Sequence, residues 1–210
     1  MQSTPVSPVR WTTADLELFA GDRNNRYEII DGELFVTRAP HWKHQAICVN
    51  IGTVLKIWSD ESGLGEPAIT PGIIFSDADN VIPDVVWASH ERLEHLLDDA
   101  GHLTAAPELV VEILSPGDKN EKRDREAKLK LYSVQGIQEY WIFDRTERKV
   151  EVYRREKAIL KLAATLFSQD ELTSPMLPGF NCLVADILPS SNWVWCGVPL
   201  SSTQLTAVLD

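Results

Sequence analysis

Cysteine is scarce in this chain: Cys48, Cys182 and Cys196 stand far apart, and no two of them form a Cys-x-x-Cys pair. That spacing argues against both a disulfide framework and a structural zinc site, so the thiols are expected to be buried or incidental. Long apolar runs are also missing. None approaches the roughly 18 residues needed to cross a bilayer, and residues 1–10 lack the apolar centre of a signal peptide. The expectation is a cytoplasmic protein with no membrane partner. Repeats and low-complexity tracts are absent, and no Gly-x-Ser-x-Gly elbow surrounds Ser115, which leaves a serine hydrolase centred there with little support. Positive charge is short as well. There are 20 Lys and Arg against 31 Asp and Glu, a formal net charge of −11, which ordinarily argues against a polyanionic partner.

What is present is an ordinary soluble composition, 44% apolar and 24% charged over 210 residues, enough for one domain with a sizeable core. The charge is unevenly spread. Residues 119–161 hold 13 Lys or Arg against 8 Asp or Glu, so a locally basic segment sits on an acidic protein. It reads either as an electrostatic footprint for phosphate or as a solvated helix and hairpin with interleaved ion pairs.

That segment follows an unusual strand. Residues 109–114 form a short apolar run bounded by Pro107 and by Ser115-Pro116-Gly117, the pattern of a buried strand, yet Glu112 lies inside it. A buried carboxylate needs a cation, a donor or water beside it; the alternative is the solvated face of an edge strand. Residues 121–135 read as a helix stopped by Gly136, with Asp124, Lys128 and Tyr132 on one stripe and Ala127, Leu131 and Val134 on an apolar stripe beside it. Lys128 therefore borders the core, where it can snorkel outward, pair with Asp124, or reach the acid of the neighbouring strand. A second acid, Asp84, interrupts the apolar run 81–87. Two acids from neighbouring strand ends and a lysine from the next helix suit a hard divalent cation such as Mg²⁺ or Mn²⁺.

Pro83-Asp84, Glu112-Ile-Leu-Ser115-Pro116, Asp124, Lys128, Tyr132, Gly136 and Glu139-Tyr140-Trp141 occur here in an order that resembles the Uma-type family of restriction-endonuclease-like proteins, a branch of the PD-(D/E)xK nuclease superfamily. Tyr27-Glu28-Ile-Ile-Asp31-Gly32-Glu33-Leu34, Ala39-Pro40 with His44, and Leu177-Pro178-Gly179-Phe180 extend the likeness over residues 11–188. The resemblance implies an α/β (α+β) fold with a central mixed sheet flanked by helices and an N-terminal β-hairpin extension. It also implies hydrolysis of phosphodiester bonds in DNA. Asp84 and Glu112, with the Ile113 carbonyl, would hold the metal, and Lys128 would orient or deprotonate the attacking water. Where the superfamily pattern has lysine two residues after the glutamate, this chain has Leu114. The family's helix-borne lysine maps to Lys128, with Lys130 and Lys122 as substitutes. Asp124 would orient Lys128 and Tyr132 would add a hydroxyl or packing. A homodimer fits an enzyme that cuts both strands. The alternative is a catalytically inactive module on the same fold that binds nucleic acid or a partner protein.

Elsewhere, Thr12 or Thr13 caps a short helix through about Ala20, and residues 26–36 form a hairpin turned at Asp31-Gly32. Glu28 and Glu33 flank that turn as candidate extra acids. A helix is expected over 41–59, placing His44 and Cys48 one turn apart; with no further histidine or cysteine nearby, His44 reads as a hydrogen-bonded group at the site's edge. Strand pieces follow over 68–75, a short acidic helix over 91–99, and strands over 139–143, 149–154 and 158–166. Asp77-x-Asp79 lacks the glycine and the further ligands of a calcium loop. Residues 1–10 are expected to be a flexible N-terminus and 189–210 an irregular C-terminal tail.

Overall fold

The computed structural model describes residues 9–115 and 117–188. Pro116, Cys196 and the expectations for residues 1–8 and 189–210 lie outside the described residues. The apolar runs form a six-stranded mixed sheet. Its central pair, β7 (Leu109–Ile113) and β8 (Glu139–Asp144), is buried along its whole length and runs parallel, with Val111 opposite Trp141. Continuous apolar sequence suits strands covered on both faces. β6 (Val85–Ser89) pairs antiparallel with β7, and β3 (Gly65–Ile69) with β6. On the other side β9 (Lys149–Glu156) pairs antiparallel with β8, and β10 (Ile159–Phe167) with β9, giving the order β10-β9-β8-β7-β6-β3. β7 is thus a central strand, and Glu112 is not on the solvated face of an edge.

The period of two sorts the strand residues between two cores. Val111, Ile113, Trp141 and Phe143 pack with Ile47, Ile51 and Leu55 of α1 (Trp42–Ser62). Val110, Tyr140 and Ile142 pack with Leu131 and Tyr132 on the opposite face. Glu112 shares the parity of Val110, so it faces the second helical segment and not α1. That segment is longer and less regular than the expected helix over 121–135. It runs as α3 (Asp118–Lys122), a π-helical turn (Arg123–Lys128) and α4 (Leu129–Gln135), and stops at Gly136, whose φ is +95°. The π turn breaks the simple 100° stripe, and Val134, expected on the apolar side, is exposed.

The N-terminal hairpin belongs to a second, four-stranded sheet ordered β2-β1-β5-β4. β1 (Asn25–Ile30) and β2 (Glu33–Arg38) turn at Asp31 and Gly32, with φ of +50° and +70°, the doubly left-handed geometry that Asp-Gly favours. β4 (Ile73–Ser76) and β5 (Asp79–Val81) complete it. The apolar run 81–87 is therefore two strands. Val81 ends β5 in one sheet and Val85 starts β6 in the other, so Asp84 sits in the crossing segment beside Pro83, which has no N–H to give a ladder. The first helix is 3₁₀, Thr13–Phe19, with Asp15 accepting from the Thr12 backbone and hydroxyl at 2.8 Å each. The acidic helix is α2 (His90–Leu96), capped by Ser89. No helix among the described residues is long and apolar enough to cross a membrane.

β3 depends on one glycine. A Cβ at Gly65 would meet the Ala88 carbonyl oxygen at 2.3 Å and the Trp87 ring at 2.6 Å. Gly65→Ala is expected to destabilise the fold by about 1–3 kcal/mol, as overpacking does, measured as a lowered urea midpoint with unchanged m value.

Candidate metal and phosphate site

Three elements converge on Glu112. β7 turns its carboxylate away from α1. β1 alternates so that Arg26 and Glu28 share a face, and Glu28 reaches the same space. The π turn supplies the cations: an i→i+5 winding stacks residues five apart, bringing Arg123 and Lys128 together against Glu28. Lys128 Nζ lies 2.8 Å from Glu112 Oε1, 2.9 Å from Glu28 Oε1 and 4.0 Å from Asp124 Oδ1. The Tyr132 hydroxyl donates to Glu112 Oε1 at 3.0 Å. Arg123 donates through Nε to Asp124 Oδ1 at 2.8 Å and stands 3.8 Å from Glu28 Oε2. The Tyr140 hydroxyl fixes the turn itself by donating to the Asp124 carbonyl at 3.0 Å.

Asp84 joins from the sheet-to-sheet crossing. Its Oδ2 accepts the Ile113 backbone N–H at 2.9 Å and lies 3.1 Å from His44 Nε2; its Oδ1 accepts from Arg26 at 3.3 Å. The Ile82 N–H donates to Glu28 Oε1 at 2.9 Å, tying β1 to the same crossing. Asp84 and Glu112 line a cavity of about 30 Å³ together with His44, Ser115, Arg26, Arg38 and Arg123. All four core ionic groups are nearly inaccessible: Lys128 and Glu28 are 1% exposed, Glu112 2% and Asp84 3%.

Charge balance makes this cluster unusual. Glu28, Asp84, Glu112 and Asp124 face only three permanent cations, Arg26, Arg123 and Lys128. Burial pushes the Glu112 carboxyl up to about 8; Lys128 pulls the other way, while Asp84, Asp124 and Glu28 add to the push. Burial also opposes ionisation of Asp84, yet the His44 hydrogen bond and charge, the Ile113 N–H and Lys128 outweigh it and hold that carboxyl at about 2. Glu28 is held below its ordinary value, because Lys128 and Arg123 overcome its burial. Burial works against the charge of Lys128, but Glu112, Glu28 and Asp124 raise its pKa above the ordinary value. In the metal-free protein these carboxylates favour the charged form of Lys128.

The donor set fits a hard divalent cation. Two carboxylates from adjoining segments share a cavity of about one water's volume, and the acids outnumber the cations by one. A softer ion has a weaker case. His44, Cys48 and Asp84 can bring ligand atoms within 4.8 Å of one another, and in the metal-free protein burial, with Asp84 and Glu112 nearby, raises the Cys48 pKa, a shift that a coordinated ion would have to overcome. His44 sits where expected, at the edge of the acid pair, 3.6 Å from Cys48 Sγ through Nδ1.

Of the residues singled out in the sequence, Asp84, Glu112, Ile113, Lys128, Glu28, His44, Asp124 and Tyr132 come together here. Glu33 does not; it is exposed on β2 and lines an outer groove. Lys122 and Lys130 are exposed along the same groove and do not replace Lys128. Arg26 and Arg123 were not anticipated. The available signals were the parity of Arg26 with Glu28 on β1 and the adjacency of Arg123 to Asp124; the π turn that gives Arg123 its direction has no visible mark in the sequence.

A mixed sheet with one acid on its central strand, a second in the segment that leads into the neighbouring strand and a lysine on the covering helix is the arrangement of the restriction-endonuclease-like fold. The solved structure of a protein from Anabaena variabilis ATCC 29413, described as a "putative nuclease belonging to DUF820", superimposes with a TM-score of 0.65 at 19% identity, covering 86% of this chain and 98% of that one. The chain belongs to the Uma2 family, described as "Putative restriction endonuclease", whose model matches residues 14–185. No curated protein sequence matches it.

The raised Glu112 pKa makes a stability prediction. Between about 4.5, its ordinary value, and about 8 the folded protein holds a proton that the unfolded chain has released. Metal-free stability is therefore greatest from this group below 4.5 and is lost as pH rises through 8. Urea midpoints in chelator are expected to fall across that window, and Glu112→Gln to flatten the decline; an unchanged slope in the variant would contradict the assignment.

Proposed function

We propose that the chain is a metal-dependent endonuclease that hydrolyses phosphodiester bonds in DNA. The observation that carries the reading is the bridge of Lys128 between Glu28 and Glu112, beside the cavity Glu112 shares with Asp84. Asp84 and Glu112, with the Ile113 carbonyl, would hold Mg²⁺ or Mn²⁺. Such an ion, when bound, lowers the pKa of water and offsets charge on a phosphate.

The protein's own groups then have separate tasks. The Ile113 N–H and Arg26 fix the Asp84 carboxylate from two sides, while Lys128 and Tyr132 both donate to Glu112 Oε1 and set its rotamer. Glu28 and Asp124 keep Lys128 charged, so Lys128 orients groups and offsets negative charge without removing a proton. Preorganised charge of this kind is where most phosphoryl-transfer catalysis arises. The burial of all four ionic groups favours a second reading, a recognition module on the same fold that has no turnover.

Asp84→Ala and Glu112→Ala are each expected to abolish calorimetric Mn²⁺ binding and reduce cleavage of plasmid DNA by at least about 100-fold, with circular dichroism unchanged. Lys128→Met should lose cleavage and, because it leaves Glu28 and Glu112 buried without their cation, also lower the urea midpoint, so its metal binding is measured where circular dichroism shows it folded. Metal binding that survives both acid substitutions would overturn the site. Metal bound by the wild type with no cleavage of any nucleic acid would select the recognition module.

A further inference from the structure

The small cavity at the acid pair opens beneath three arginines. Arg26 is engaged with Asp84 and Arg123 with Asp124 and Glu28. Arg38, at the exposed end of β2, lines the same cavity, and its side chain has no hydrogen bond or ion pair among the described residues. A free guanidinium presents a planar fork of donors that matches a phosphate. Thr37 and Arg123 line both this cavity and a groove of about 800 Å³ between β2 and the helical segment that carries Lys128, so the two adjoin across these residues. Lys122 and Lys130 border that groove, also without ion-pair partners among the described residues, and Phe35 supplies a half-buried aromatic face on its wall.

We propose that this groove seats a single polynucleotide strand, with Arg38 gripping the phosphate next to the acid pair and Lys122 and Lys130 the backbone beyond it; the proposal rests on the nuclease reading above. A cationic groove interleaved with an aromatic is how single strands are held without sequence preference. The buried acids favour a strand over a duplex. Thr37, Arg38, Pro40 and Ser115 rim a cavity of only about 30 Å³, so the backbone must descend to the acids, which a strand freed from its complement does more readily than a stiff helix. Glu33 and Glu126 stand on the same groove. They keep the local field weak, and binding is modest and sensitive to salt.

The test is fluorescence anisotropy with a labelled oligothymidylate and a hairpin duplex of equal length, in Ca²⁺, across a salt series, with the oligonucleotides confirmed intact by gel. The wild type binds the single strand more tightly than the duplex. Arg38→Ala weakens strand binding about tenfold and reduces the slope of log K against log salt by about 0.7, and Arg38→Lys recovers the slope but not all the affinity. Lys56→Ala, on the helix covering the opposite sheet face, changes neither. An Arg38→Ala variant with wild-type affinity and slope, or a duplex bound as tightly as the strand, overturns the proposal. If the wild type cleaves nucleic acid in Mg²⁺ while either of those results holds, only the groove assignment fails. A wild type that neither binds nor cleaves any nucleic acid removes both.

Discussion

The buried bridge from Lys128 to Glu28 and Glu112 is the constraint on which the rest of the structure depends. Removing the Lys128 ammonium and the Glu28 carboxylate from water costs several kcal/mol per ion, and burying the Glu112 carboxyl adds to it; that cost is recovered only if the three groups are held at hydrogen-bond distance. Each is held by a different element: β1 brings Glu28, β7 brings Glu112, and the π turn brings Lys128. The four-stranded sheet, which already shares a hydrophobic core with the six-stranded one through Ile30, Ile73 and Val81, is thereby tied to it through ions as well. A buried ion network of this kind contributes little net stability compared with an apolar core of the same volume. What it provides is geometry and an excess of negative charge at one point.

That excess connects structure to chemistry. Four carboxylates meet three permanent cations, and the imbalance is taken up by a proton on Glu112, which is why its carboxyl is driven up while Asp84 is driven down. Two acids with opposite shifts in one cavity are the pattern of a functional site, and under the proposed function the additional positive charge there would be the metal ion. The Uma2 membership and the shared fold with a solved relative agree with this reading at the level of family and architecture.

Much of the site could be read from the chain because its signals were local. An acid inside an apolar run, as at Glu112, is costly enough to require partners, and the i, i+4, i+8 spacing of Asp124, Lys128 and Tyr132 gave a helix face that could supply them. The Asp31-Gly32 turn and the Gly136 stop followed from backbone chemistry alone. Three things were not legible. The π turn is a tertiary choice fixed by the Tyr140 hydroxyl on the Asp124 carbonyl, so Arg123 was missed and Val134 was assigned to the wrong face. The run 81–87 carries no mark of changing sheets beyond Pro83. Arg26 and Glu33 lie on the same face of the hairpin, because Glu33 pairs with Ile30 and Ile30 shares the parity of Arg26 and Glu28; what separates them is distance along the strands, Glu33 standing exposed at the turn end.

The most direct measurement of the central claim is an anomalous difference map from crystals soaked in Mn²⁺. One Mn²⁺ peak is expected within coordination distance of a carboxylate oxygen of Asp84 and one of Glu112, with Lys128 still bridging Glu28 and Glu112. Mn²⁺ bound instead by His44 and Cys48, or a peak absent from this cavity at saturating concentration while other surface sites fill, would contradict it.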